Sequence, residues 1–100
     1  MDIFSPYGTD TTSVSVSGTT ASGALNLPTQ PMTSSVRVFN AASVTVFIQF
    51  GISTVEATTA NMPIPAGGVE TFEIGPAVTH IAGITASGSG TLYATTGRGA

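Results

Sequence analysis

Apolar side chains alternate with hydroxyl-bearing ones, and glycine, proline or asparagine interrupts the alternation every few residues. This pattern constrains the chain more than any other feature. Val14 and Val16 alternate with Ser13, Ser15 and Ser17, and Val36 and Val38 flank Arg37. Val44, Val46, Ile48 and Phe50 form one set while Thr45, Phe47 and Gln49 form the other. A period of two places each set on one face of a strand, and no stretch shows the 3.6-residue period of a helix. The chain is therefore expected to be all-β.

About eight short strands are predicted, and turn residues delimit them. They cover Thr12 to Ser17, Ala24 to Leu27 (stopped by Pro28), Ser35 to Phe39 and Val44 to Phe50, then Thr54 to Thr58, Val69 to Ile74, Thr79 to Ala86 and Thr91 to Thr96. Between the fifth and sixth, Asn61 to Gly68 reads as a connection, since Pro63 and Pro65 exclude a central strand. Eight such strands without a helix suggest a single antiparallel β-sandwich, with a jelly roll as the natural version. The expected organisation is an N-terminal arm over residues 1–10, the sandwich over 11–97 and a mobile tail over 98–100.

Two hairpins are expected within the sandwich. Pairing Val38 with Val44 and Val36 with Val46 puts both valine sets on the core through a loop of residues 39–43. A four-residue loop would instead set Arg37 beside Val46. A Gly88-Ser89 turn would pair Ala86 with Thr91 and Ile84 with Tyr93. His80, Ala82, Ile84 and Tyr93 then share one face, and Ile81, Gly83, Leu92 and Ala94 the other. Both faces are apolar, so this pair is expected to be covered on two sides.

Charge narrows the function. The 100 residues contain no lysine, cysteine or tryptophan, and only seven charged side chains: Asp2, Asp10, Arg37, Glu56, Glu70, Glu73 and Arg98. Charged residues make up 7% of the chain and hydrophobic ones 41%, so its polarity rests on 17 Thr, 11 Ser and 12 Gly. A chain of this mass exposes about 5,000 Å², or about one charge per 700 Å². Interface-sized patches must then be charge-free, which suits a subunit better than a solitary monomer. A net charge of −3 opposes binding to a phosphate backbone. The first residues have no basic region or apolar core of a secretory signal, and no run is long enough for a membrane helix. Synthesis in the cytoplasm is expected.

Catalytic and metal chemistry find few groups to use. His80 is the sole histidine, and Asp2 and Asp10 are the acids a triad would need. No nucleophile elbow accompanies them. His80 reads instead as a strand residue whose ring nitrogens are satisfied locally. Glu70 and Glu73 are three apart, so on a strand they point to opposite faces and form no carboxylate pair. No catalytic, cofactor or metal site is expected, and the chain reads as a non-enzyme.

Interface anchors are easier to find. Phe39 and Phe47 fall outside the core faces of their strands, and Tyr93 shares an apolar face with Ile84. Ile3, Phe4 and Tyr7 precede the first strand. These six residues are the candidate contacts with partners, the alternatives being that another part of the same chain covers Phe39 and Phe47 and that the arm folds back on its own sandwich.

Five segments together resemble small virion proteins of tailed bacteriophages, the head decoration or cement class. They are Ser35-Val-Arg-Val-Phe-Asn40, Val46-Phe-Ile-Gln-Phe-Gly51, the Pro-Ile-Pro-Ala-Gly-Gly turn at 63–68, Ile81-Ala-Gly-Ile84 and Gly90-Thr-Leu-Tyr-Ala-Thr-Thr-Gly97. The resemblance implies a non-enzymatic virion protein that forms a dimer or trimer and strengthens a capsid. Its implied partners are copies of itself and the major capsid protein or another virion protein. It transfers no site residues. A tail or fibre component, or a β-sandwich module that binds host glycans, is the alternative.

Overall fold

In the computed structural model, which describes residues 5–25, 34–75 and 77–98, eight strands form two antiparallel four-stranded sheets. They are β1 (Ser5–Val16), β2 (Ala21–Ala24), β3 (Ser34–Asn40), β4 (Val46–Gly51), β5 (Met62–Ile64), β6 (Val69–Ile74), β7 (His80–Thr85) and β8 (Gly90–Arg98). Sheet A has the order β1-β8-β3-β6 and sheet B the order β2-β7-β4-β5. No helix occurs among the described residues.

The pairing follows one rule. β1 pairs with β8, β2 with β7, β3 with β6 and β4 with β5, all antiparallel. This is one long hairpin ribbon closed at β4–β5 and rolled upon itself, and the β3–β8 and β4–β7 ladders seal the roll. The fold is a jelly roll.

Rolling overturns both expected hairpins. β3 and β4 lie in different sheets, as do β7 and β8, so Val38 pairs with Ala94 and Glu70 rather than Val44. Ile84 pairs with Phe47 rather than Tyr93. A loop of five residues spans up to about 17 Å, enough to cross the roughly 10 Å between packed sheets as well as to close a hairpin. Loop length therefore does not separate the two.

Facing is as expected even where pairing is not. Val14, Val16, Val36, Val38, Ile74, Leu92 and Ala94 of sheet A bury against Val46, Ile48, Ile64 and Ile81 of sheet B. Phe50 and Phe72 meet edge to face between the sheets, with ring centroids 5.4 Å apart. Gly83 lies where the two sheets approach closely. A Cβ built there would fall 2.8 Å from Val16 Cγ1 and 3.3 Å from Val46 Cγ1, so only glycine lets the sheets approach this closely.

Three boundaries shift. The expected fifth strand, Thr54 to Thr58, forms no ladder, whereas Met62–Ile64 does. β5 lies at a sheet edge, which is the position a strand containing Pro63 can occupy. β2 begins at Ala21 and ends at Ala24, so it precedes most of its expected span, and Leu25 follows as a buried residue. β1 starts at Ser5, so Ser5 and Pro6 of the expected arm pair with Arg98 and Gly97 of β8, and the register shifts before pairing resumes at Thr11.

One polar side chain ties the roll together. Asn40 is fully buried at the end of β3, and its Nδ2 donates to the carbonyls of Val44 (2.9 Å), Ile64 (2.9 Å) and Pro65 (3.2 Å). Its Oδ1 accepts from the Ala42 N–H at 2.9 Å. The backbone of Asn40 receives the Gly67 N–H and donates to Gly68, where Gly67 at φ 74° makes the turn that only glycine adopts freely. Two of the sequence segments singled out above, 35–40 and 63–68, thus meet in one hydrogen-bonded corner.

Candidate interface

The two sheets present different outer faces. Segment 52–61 leaves β4 at Gly51, where Val55 packs, and reaches the β2 edge, where the Ala57 N–H donates to Thr20 Oγ1 at 2.8 Å. β7 lies between these two anchors, and its outward Ala82 has no exposed surface. Segment 52–61 is thus a strap across sheet B. Phe47 is half-buried on this face, in register with Ile84 and Pro63. Cover on two sides is expected of the last two strands together; it is found at β7, whereas the outer face of β8 is exposed at Tyr93.

Among the described residues no such strap crosses sheet A, and an apolar row crosses its outer face. Ser13, Tyr93, Phe39 and Val69 are successive cross-strand neighbours on β1, β8, β3 and β6. Five large apolar side chains stand exposed among the described residues, and Phe39, Tyr93 and Val69 of this row are three of them. The rings of Phe39 and Tyr93 lie 14° from parallel with centroids 6.2 Å apart. The adjacent row is Thr11, Thr95, Arg37 and Thr71, in which the Thr11 and Thr95 hydroxyls share a hydrogen bond of 2.8 Å.

Alternation in the sequence places Phe39 outside its core face and Tyr93 on the face of Ile84, but nothing in it joins Phe39 to Tyr93. In the sequence Val69 marks only the start of a strand. Its signal was latent in the outward phase of β6, where Val69, Thr71 and Glu73 alternate with the inward Phe72 and Ile74. Tyr7 lies within β1 between Pro6 and Thr11, where the register against β8 shifts. The side chain of Tyr7, and all of Ile3 and Phe4, lie outside the described residues.

The charges divide by sheet. Asp10, Arg37, Glu70, Glu73 and Arg98 all lie on sheet A strands, and the four strands of sheet B contain no charged residue. Glu70 and Glu73 sit exposed on the edge strand β6. Charges at an edge oppose its pairing with another strand.

His80 is half-buried, and its Nδ1 shares a 2.8 Å hydrogen bond with Thr79 Oγ1. The neighbouring threonine satisfies one ring nitrogen, as the local reading of this histidine expects. Among the described residues, no three His, Cys, Asp or Glu side chains cluster as metal ligands, and no helix is long and apolar enough to cross a membrane. No protein-family model, curated protein or solved structure matches this chain.

Proposed function

We propose that this protein is a non-enzymatic virion structural protein that oligomerises and decorates or cements a phage capsid. The observation that carries the assembly role is the outer face of sheet A, where Phe39, Tyr93 and Val69 stand exposed in one cross-strand row. Aromatic groups held on a rigid sheet lose little conformational freedom on docking and supply most of the apolar area a partner can bury. The capsid role rests on the sequence resemblance stated above.

Co-sedimentation with purified phage shells, expanded and unexpanded, tests the proposal. The expected result is saturable attachment to expanded shells at a fixed copy number per capsomer. Absence of the protein from shells and from the purified virion would end this reading.

The near-parallel Phe39–Tyr93 pair favours one rival, a platform for the apolar face of a sugar ring in a host-glycan-binding module. Binding on a glycan array that is lost in Tyr93→Ser would select it over the structural role.

A further inference from the structure

We infer that the outer face of sheet A is a self-association surface, and that its occupant is the same face of a second copy related by a two-fold axis. The inference deepens the proposed assembly role by naming the partner at this face. Its test uses the purified chain without shells, so the two readings fail separately.

The edges of the roll argue against strand-to-strand association. β2 has four residues and β5 has three with Pro63 among them. β1 breaks register between Pro6 and Thr11. β6 is the longest regular edge, but antiparallel pairing of two β6 copies would bring Glu70 and Glu73 of one beside those of the other. Like charges directly across a ladder are destabilising. Self-association is left to the faces, and the strap occupies the face of sheet B.

Area and charge both suit sheet A. A broad face of a body measuring 37 × 27 × 22 Å projects about 800 Å², one partner's share of a standard interface. An axis parallel to the strands, between β3 and β8, lays Phe39 over the partner's Tyr93 and Val69 over the partner's Ser13. Arg37 then faces the partner's Thr95, and the acidic strand β6 lies at the rim against β1, which presents Thr11, Ser13 and Ser15 there and carries Asp10. No like-charged pair is forced into the centre, where the four aromatic rings meet. An apolar centre with a polar rim is the usual anatomy of an interface.

The net charge sets the salt response. Each copy carries −3, so copies repel at long range while the contact itself contains few charges. Screening removes the repulsion and leaves the apolar contact. Association should tighten with salt, opposite to an ion-paired interface.

The experiment is sedimentation equilibrium on the wild-type chain and four variants, up to about 1 mM protein, at low and high sodium chloride. The wild type should form a dimer that tightens with salt. Tyr93→Glu and the more exposed Val69→Glu should each weaken it by at least about tenfold while remaining folded by circular dichroism. Mixing Tyr93→Glu with Tyr93→Lys should restore dimers, because opposite charges then meet near the axis. Gln49→Glu on sheet B should change nothing. A wild type that stays monomeric throughout would overturn the inference, as would loss of association with salt. A Val69→Glu chain that dimerises as well as wild type, or disruption by Gln49→Glu, would do the same.

Discussion

The side-chain amide of Asn40, at the end of β3 in sheet A, donates at 2.9 Å to the carbonyl of Ile64 in sheet B. The two residues are 24 apart in sequence, and the bond closes the corner at which the ribbon rolls. The same amide nitrogen serves Val44 and Pro65, so one side chain satisfies backbone groups that have left the ladders.

Asn40→Ala should therefore be among the most destabilising single substitutions. It leaves three carbonyls and the Ala42 N–H without their partner, which predicts a loss of about 3–5 kcal/mol by denaturant titration. Asn40→Asp is the sharper variant. A carboxylate there would face three carbonyl oxygens, so burial would raise its folded-state pKa, and the added loss would be full above that pKa. It would shrink as pH falls through it, once the protonated acid can donate a hydrogen bond again. Equal deficits for Asn40→Asp at neutral and acid pH would contradict this account.

Gly83→Ala should lower stability by about 1–3 kcal/mol, because the new methyl meets Val16 Cγ1 within 2.8 Å. Combining it with Val16→Ala removes the clash. The double variant should be more stable than the sum of the single losses, and a double-mutant cycle by thermal unfolding measures that coupling.

The strap gives a local prediction. Thr20→Val keeps the side chain's shape but removes the oxygen that accepts from the Ala57 N–H. Amide exchange at Ala57 should accelerate by about tenfold, corresponding to a loss of about 1.4 kcal/mol, with only a small shift in melting temperature. Unchanged exchange would mean that the strap is held by packing at Val55 instead.

Phe39 and Tyr93 should contribute little to folding for their size. Both are exposed at 39%, so each replacement by alanine forfeits only part of its burial, and their mutual coupling should be about 0.5–1.5 kcal/mol. Replacing both by threonine should leave a folded, more soluble protein. A collapse of the fold in that double variant would show that the pair belongs to the core instead of the surface.

What the sequence determined alone was the facing of side chains. Alternation with a period of two is local, and burying Val36 and Val38 requires Arg37 and Phe39 to turn outward whichever strand lies alongside. The all-β class and the outward placing of Phe39 follow from that same rule, whereas the exclusion of Pro63 from a central strand follows from its missing N–H.

Strand partnership was decided only by tertiary structure. Residues 41–45 and 86–89 are short enough for hairpins, yet each carries the chain across to the other sheet, because the ribbon gains a closed core by rolling. That core joins residues as distant as Val14 and Leu92. The meeting of Phe39, Tyr93 and Val69 in one row, and the gathering of strand charges on one sheet, arise from this pairing. No local pattern encodes them, since each depends on which distant strand lies alongside.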